Sequence, residues 1–374
     1  MSQRDVADEL KIVRATFDRS EWRKWETGKV IPGRYWLPHI AAVLDMPLGV
    51  LRAAKATPAT PTPGRIEAAT EESREEQMRR RDLLLGTAGL SIEAAIFRPT
   101  GIGAPPASLR AQVTAAQADV RAARYSVLSR RLPGLLDRVQ TAADPRLAAD
   151  AWSLATEYLI KMNNDDLALI TSDRAAAEAK TSGDPTAQAA AQWGRCIALR
   201  HSGRSRTAYT IAADAAATLA DETALATTEQ LATYGHLFLC AAYTAATAGD
   251  TARADDYMTE AHTTANRFPA DQAHGMWYFG PAQAALYRLS IEHAAGNTGK
   301  AINAARAIQP ATLPSPERRA RYWIDLARVY HQWDGHRPQV AAALRNAYAE
   351  APDEVTSRPA VRNLARSAGI TFSL

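Results

Sequence analysis

Five turn residues recur along the chain at similar spacings, and this repetition limits the possible folds more than any other feature. Asn163, Gly203, Gly249, Gly296 and Gly335 are separated by 40, 46, 47 and 39 residues, and each lies between segments of helical length. Glycine and asparagine are the residues that most readily adopt the left-handed conformation at a helix end. A break that recurs in this way predicts a series of helical hairpins, each one unit of a repeat protein.

Small and apolar residues follow each break at fixed offsets. Five positions after the breaks the chain has Ala168, Ala208, Ala254, Ala301 and Val340. Nine positions after them it has Ser172, Ala212, Met258, Ala305 and Leu344, and twelve positions after them Ala175, Ala215, Ala261, Ile308 and Ala347. Because the distance between packed helices depends on the side chains at their contact, this pattern lets the second helix of each hairpin lie close to the first.

These offsets resemble those of the tetratricopeptide repeat, and Gly249-Asp250 with Ala254 and Ala261 is the clearest copy. The resemblance implies an α-solenoid over residues 108–374. The spacings exceed the family's repeat of about 34 residues, which implies longer helices or inserted loops. The alternative is an alanine-rich helical bundle without regular superhelical stacking.

Both ends of the array have segments that suit a cap. Pro352 matches the proline that closes the tetratricopeptide motif. An additional hairpin near 108–139 and a closing helix near 358–367 are predicted to cap the array, as the ends of a solenoid require.

Residues 1–56 have a different pattern. Trp22, Trp25 and Glu26 lie in a basic segment with helical periodicity, which Gly28 ends. A second amphipathic segment follows, with apolar residues including Ile40 on one face. The stretch 20–48 resembles the second half of the Xre/Cro-type helix-turn-helix, as found in regulators of Streptomyces and related actinomycetes. The resemblance implies a DNA-binding head over residues 1–56.

That resemblance also assigns the DNA contacts. The recognition helix is expected to begin near Asp18, with its outward face toward base edges in the major groove. Base contacts are expected from Arg19, Ser20, Arg23 and Lys24. Phosphate contacts, which position the protein on the duplex, are expected from Gln3, Lys29 and Arg34.

The Xre-type domain has a further helix before the segment that begins at Gln3, and the head as written from Met1 lacks it. Three explanations are open: translation starts upstream, the body supplies a substitute helix, or the head is vestigial. An in-frame upstream extension encoding an amphipathic helix would favour the first.

Two segments connect head and body. Residues 57–66 form a Pro/Thr linker that is unable to continue a helix. Residues 67–107 are predicted to be a bridging helix and loop. Within them, 79–90 resembles a twin-arginine export peptide, but its internal position and short apolar stretch favour a helix next to the linker.

A tetratricopeptide-like array presents a concave groove lined by the first helix of each hairpin, which suits a peptide or protein ligand. Aromatic and basic residues predicted to lie on those helices and line the groove are Trp193, Arg195, Arg200, Tyr234, His236, Trp277, Tyr287, Arg288 and Trp323. Aromatic residues at helical spacing also serve as core or inter-repeat packing, which is the competing interpretation for each of them.

The composition limits which classes of protein remain possible. The chain has 374 residues, 47% of them apolar, and a net charge of only +4. Residues 1–57 contain ten Lys/Arg and seven Asp/Glu and therefore carry three of these four net positive charges. The two cysteines, Cys196 and Cys240, form no metal spacing and are predicted to be buried free thiols, which favours a reducing cytosol. No apolar run is long enough to span a membrane.

Catalytic motifs are absent from the sequence: it has no GxxxxGKS or GxxxxGKT, no GxSxG, no HExxH and no CxxC. We therefore expect no enzyme activity and no cofactor. The predicted protein is an all-α, cytoplasmic and nucleoid-associated transcriptional regulator: an Xre-like head that binds double-stranded DNA, joined to a tetratricopeptide-like body that binds a peptide or protein ligand, forms a homodimer, or both. The alternative is a non-catalytic interaction scaffold that has lost DNA binding.

Overall fold

The computed structural model describes residues 106–333 and 335–370, together with Ile40 and Phe372. The chain divides into two units, residues 1–71 and 72–374. In the first unit Ile40 is helical and buried, with 3% exposure. The rest of the predicted helix-turn-helix head, the linker and the bridging segment lie outside the described residues.

The described part of the second unit is almost entirely helical, which confirms the all-α prediction. Its α-helices, in chain order, are α1 (Pro106–Arg121), α2 (Tyr125–Val139), α3 (Pro145–Lys161), α4 (Asp165–Ser182), α5 (Pro185–His201), α6 (Ser205–Thr223), α7 (Thr228–Thr247), α8 (Thr251–Ala265), α9 (Pro281–Ala294), α10 (Thr298–Arg306), α11 (Pro316–His331), α12 (Arg337–Glu350), α13 (Pro352–Thr356) and α14 (Pro359–Ser367). A short 3-10 helix, Pro310–Thr312, precedes α11, and two strands, β1 (Gln272–His274) and β2 (Trp277–Phe279), lie between α8 and α9.

The predicted breaks are hairpin turns. Asn163, Gly203, Gly249, Gly296 and Gly335 all have positive φ, at 60°, 82°, 81°, 77° and 81°. In the first four turns the amide of the next residue donates to the carbonyl five residues earlier, as Asp250 does to Ala245 at 3.0 Å. This bond, across a left-handed residue, satisfies a carbonyl at the end of the preceding helix. The prediction of helical hairpins is therefore confirmed for α3–α4, α5–α6, α7–α8, α9–α10 and α11–α12.

The small residues behind each break pack as the offsets predicted. At the fifth position Ala168, Ala208, Ala254, Ala301 and Val340 are all at most 2% exposed. The ninth-position residues are equally buried, and of the twelfth-position residues only Ala215 is half-buried. Each second helix thus lies against its partner through side chains that take little room.

The flanking elements are also helical. The hairpin predicted near 108–139 is α1–α2, and the closing helix predicted near 358–367 is α14. The first helices of successive hairpins, α1, α3, α5, α7, α9 and α11, contact one another in chain order. One core runs through the unit, with Trp152, Tyr125 and Tyr158 among its largest fully buried side chains.

The two ends of this series meet. Lys161, at the end of α3, lies 2.8 Å from Glu317 of α11 and 3.0 Å from Glu354 of α13. The Tyr125 hydroxyl of α2 donates to Glu354, and the Ser126 amide donates to Asp353 at 2.9 Å. The series therefore curves until its last elements contact α2 and α3.

The β-hairpin is the main departure from the sequence analysis, which predicted no strand in this region. Its strands are antiparallel, with Gln272 opposite Phe279. Phe279 packs on Gly235 of α7 so closely that a Cβ at that glycine would lie 2.0 Å from the ring. At the other end of the hairpin, Arg121 of α1 donates to the Gly275 carbonyl. The hairpin thus lies across the face formed by the first helices. Strands of three residues are too short to produce a detectable alternation.

Candidate functional site

Pairs of polar or aromatic residues seven positions apart recur on the first helices. Seven residues make about two helical turns, so the members of such a pair lie on one face. The pairs are Trp193 and Arg200 on α5, His236 and Tyr243 on α7, and Arg321 and Arg328 on α11. These faces, with Tyr287 of α9 and Trp277 of β2, form the cluster that we call the inner site.

Four rings make up one end of the inner site. The Trp193 ring lies 4.8 Å from Trp277 and 5.6 Å from His236, measured between ring centroids. His236 and Trp277 are stacked, with centroids 5.0 Å apart and an interplanar angle of 13°. Tyr287 meets His236 edge-on at 6.2 Å. Burial and the nearby positive charge of Arg318 lower the pKa of His236 to about 3, so this imidazole is neutral at pH 7.

Both ring nitrogens of His236, one a donor and one an acceptor in the neutral imidazole, have no hydrogen-bond partner among the described residues. Three buried groups at this end that can only donate hydrogen bonds also have no partner among those residues. They are the indole Nε1 of Trp193, the indole Nε1 of Trp277 and the amide Nε2 of Gln283. Trp193 and Gln283 are only 6% and 1% exposed. A buried donor without an acceptor costs about 1–3 kcal/mol, so such groups point to a site that an acceptor can occupy.

Arginines of α11 form the other end of the inner site. Asp325 accepts hydrogen bonds from Arg321 and Arg328, each at 2.8 Å, and from the Ser290 hydroxyl. Burial alone would raise the pKa of the Asp325 carboxyl, but these two guanidinium groups outweigh it and lower the pKa to about 2. Arg318 pairs with Glu317 and donates to the Gln283 side-chain oxygen at 3.3 Å.

Arg200 differs from the other arginines. No carboxylate of the described residues forms an ion pair with it; its guanidinium lies 4.8 Å from the centre of the Tyr243 ring and donates to the Thr244 hydroxyl at 3.2 Å. Tyr243 in turn lies edge-on to Tyr287 at 6.5 Å. Burial raises the pKa of the Tyr287 phenol above its usual range, and the charges of Arg318, Arg321 and Arg200 act against that rise. Tyr287 lies on the same face of α9 as Gln283 and Ser290, which bond Arg318 and Asp325 of α11.

A cleft borders the β-hairpin, and Trp277 is also among its lining residues. It encloses about 510 Å³ including its open mouth, and Arg146, Asp150, Glu229 and His274 are among its lining residues. Arg146 pairs with Asp184, with Glu229 at 2.9 Å and with Asp150 at 3.7 Å. Burial raises the pKa of the Asp150 carboxyl to about 6, although Arg146 acts to lower it.

The structure brings five of the nine predicted groove residues together. Trp193, His236, Trp277 and Tyr287 form the ring cluster. Arg200 contacts Tyr243, which in turn contacts Tyr287 of that cluster. The prediction that Trp277 lies on a first helix is wrong, because the inserted hairpin places it on β2.

The other four predicted groove residues contact different partners. Arg195 pairs with Asp173 of α4 at 3.1 Å, and the Tyr234 hydroxyl donates to Glu260 of α8 at 2.9 Å. Arg288 pairs with Asp255 of α8 at 3.1 Å, and Trp323 packs edge-on to Tyr322 at 4.9 Å. The first three therefore contact second helices rather than the inner site.

Sequence reasoning missed Tyr243, Gln283 and the arginines of α11. One signal was present for the tyrosine: Tyr243 follows Arg200 by 43 residues, the same distance by which His236 follows Trp193. Gln283 had no such signal, because its position depends on Asp271, which accepts from the Ala282 and Gln283 amides at 2.9 Å and so fixes the start of α9.

The predicted DNA contacts, Gln3, Arg19, Ser20, Arg23, Lys24, Lys29 and Arg34, all lie outside the described residues. Cys196 and Cys240 are buried and free, as predicted. None of the described helices is both long and apolar enough to cross a membrane. Among the described residues, no three His, Cys, Asp or Glu side chains are grouped so that they could hold a metal ion.

The geometry of the inner site thus combines a ring cluster, three unpartnered donors and an arginine without a carboxylate. Compared with known proteins, the chain matches no protein-family model and no curated protein sequence.

Proposed function

We propose that this chain is a sequence-specific DNA-binding transcriptional regulator whose helical-repeat body binds a ligand at the inner site, dimerises, or both. The observation that carries the sensory part is the convergence of Trp193, His236, Trp277 and Arg200 from separate elements onto one site with buried, unpartnered donors. The DNA-binding part rests on the Xre-like pattern of residues 20–48.

The body is proposed to be a degenerate tetratricopeptide-like solenoid. Its support is the set of five left-handed turns at matched positions, each followed by a buried small or apolar residue five positions later. In such an array the first helices form the ligand-binding face. The β-hairpin lies across that same face and contributes Trp277 to the site.

A ligand at the inner site would act through the elements that meet there. The site joins α5, α7, α9 and α11 to the β-hairpin, so an occupant favours whichever arrangement of these elements binds it best. Control of DNA binding requires the ligand to bind two states of the body with different affinity. A dimer whose geometry differs between those states would convert that difference into a change of DNA affinity.

A gel-shift assay with DNA from upstream of the chain's own gene tests the DNA-binding part. Replacement of Arg23 and Lys24 by alanine is expected to abolish retention of the DNA while the helical circular dichroism stays unchanged, because both residues are assigned to the reading face. The matched control replaces Arg204 and Arg206, two exposed arginines of the body, and removes the same charge.

Equal loss of retention in both double variants would mean that net charge, and not the assigned helix, causes binding. Unchanged retention in the Arg23/Lys24 variant would refute the assigned reading face. If the unaltered chain retains no DNA at low salt, the interaction scaffold becomes the better proposal.

A further inference from the structure

We infer that the inner site binds a small molecule through an oxyanion, a carboxylate or phosphate group, held between Arg200 and the arginines of α11. This inference rests on the proposed function, since it names the chemical class of the ligand that the body senses, in place of the peptide or protein that the repeat resemblance implies. The rest of the molecule is expected to pack against the rings of Trp193, His236 and Trp277.

The charges around the site are unequal. The cations are Lys161, Arg200, Arg318, Arg321, Arg328 and Arg358, and the carboxylates paired with them are Glu157, Glu317, Asp325 and Glu354. Asp271, which accepts from the Gln283 amide, is a fifth carboxylate at the site, so six cations face five carboxylates. Excess positive charge in a partly desolvated region is unfavourable unless an anion is bound there.

The shared carboxylate of Asp325 leaves guanidinium groups free to bind more. Arg321 and Arg328 both donate to Asp325, and each guanidinium has five N–H groups. Their side chains are 22% and 25% exposed, so water reaches them. A guanidinium binds carboxylate and phosphate oxygens in a two-pronged geometry, which makes these groups the natural partners.

Arg200 is the residue that distinguishes a ligand site from an internal ion-pair network. It has no direct carboxylate partner among the described residues, yet its contacts with Tyr243, Thr244 and His201 hold it in a defined position. His201 in turn bonds Asp165 at 2.8 Å. Holding a guanidinium in place before the ligand arrives reduces the entropy lost on binding.

Three unpartnered groups of the site can only donate hydrogen bonds, whereas the two unpartnered ring nitrogens of the neutral His236 are one donor and one acceptor. Indole Nε1 atoms and an amide NH2 donate hydrogen bonds, so the occupant that satisfies them has acceptor atoms. Arg318 links this end of the site to the arginines, because it donates to the same Gln283 whose amide nitrogen has no partner. An anion with several oxygens satisfies both requirements, whereas a cation satisfies neither.

Isothermal titration calorimetry on the full chain tests the inference with two probes, pyrophosphate for phosphate and citrate for carboxylate. All titrations use sodium chloride to keep ionic strength equal, since exposed charges respond to salt alone. We expect saturable binding with one site per chain for at least one probe. The probe that binds more tightly identifies the kind of oxyanion.

The variant Arg200→Met keeps most of the aliphatic side chain and removes the charge. It is expected to weaken binding of the probe at least tenfold, because a charge-assisted hydrogen bond contributes enough for a tenfold change. Arg200→Lys keeps the charge without the two-pronged geometry and is expected to lose less affinity. The control is Arg195→Met on the same helix, where the guanidinium pairs with Asp173 and lies away from the site.

Binding of neither probe to the unaltered chain would overturn the inference, and so would equal affinity losses in the Arg200 and Arg195 variants. Thermal unfolding of each variant shows whether it is folded; if Arg200→Met is not, Arg200→Lys gives the comparison with Arg195→Lys. Retention of DNA in the gel shift without probe binding refutes only this inference. Probe binding without DNA retention refutes only the regulator proposal.

Discussion

Replacement of Lys161 by methionine removes the centre of the buried charge network that joins the two ends of the helical series. The Lys161 ammonium lies 2.8 Å from Glu317, 3.0 Å from Glu354 and 3.6 Å from Glu157, and its side chain is only 6% exposed. Methionine matches the length of lysine without its charge. The substitution therefore tests the ion pairs more than the packing.

The expected loss of unfolding free energy depends on which ion pairs each carboxylate retains. Removing one partner of a buried ion pair costs about 3–5 kcal/mol. Glu317 keeps Arg318 and Glu354 keeps Arg358. Glu157 loses its only ion pair among the described residues, but burial raises its pKa, so it can become neutral, and the cost should lie near the lower limit, at about 3 kcal/mol. For a unit of about 300 residues that loss lowers the midpoint of thermal unfolding by roughly 5 °C.

Thermal unfolding followed by circular dichroism at 222 nm measures this shift. The matched control is Lys180→Met, which removes an exposed lysine in the last turn of α4 and should change stability by less than about 1 kcal/mol. If both variants unfold at the same temperature, the charge network does not stabilise the contact between the ends. The physical reasoning about Lys161 would then be wrong.

Acid provides a second check with a defined sign. Burial acts to raise the pKa of Glu354, but Arg358 and Lys161 outweigh it and hold that pKa well below the ordinary value of 4.5. The stability from this carboxylate is therefore present above pH 4.5 and is lost as pH falls through the lowered pKa. The difference between the unaltered chain and Lys161→Met should be largest near pH 7 and shrink below pH 4.5.

Two further predictions concern glycines, each measured by thermal unfolding. Gly249→Ala should destabilise the body by about 1–2 kcal/mol, because the φ of Gly249, 81°, is left-handed. Gly299→Ala should instead stabilise the body by about 0.5–1 kcal/mol, because Gly299 lies in α10 and a Cβ there would meet open space. Similar effects of both would contradict the turn geometry. Gly235→Ala should lower the free energy of unfolding by at least about 1–3 kcal/mol and change the Trp277 fluorescence, because the new Cβ would displace Phe279 and with it the β-hairpin. Unchanged fluorescence would contradict the packing of Phe279 on Gly235.

The repeating part of the fold was predictable because it depends on local chemistry. A left-handed residue at each turn and a small residue five positions later are requirements of backbone geometry and helix spacing, and Gly249 with Ala254 illustrates both. These requirements recur in every hairpin, so even a degenerate repeat preserves them. Five turns were therefore located to the residue from the sequence alone.

The inner site was predictable only in part because it depends on contacts between distant residues. Trp193, His236 and Tyr287 lie on first helices, so the repeat itself predicts that they can converge. Trp277 reaches them through a strand of three residues whose position is set by the Phe279–Gly235 contact, 44 residues apart in the chain. No local pattern encodes a contact of that kind.

The first and second helices of the hairpins differ in the kind of side chain that they bury. Residues such as Ala208 and Ala261 on second helices are fully buried, small and apolar, and they contribute packing without unsatisfied groups. The first helices instead hold unpartnered donors at Trp193 and Gln283, each of which lowers stability by about 1–3 kcal/mol. Such a cost is a substantial fraction of the total stability of a domain, about 5–15 kcal/mol. Locally unfavourable groups concentrate at functional sites, and this contrast is the reason why we propose ligand binding on the first helices and a stabilising role for the second helices.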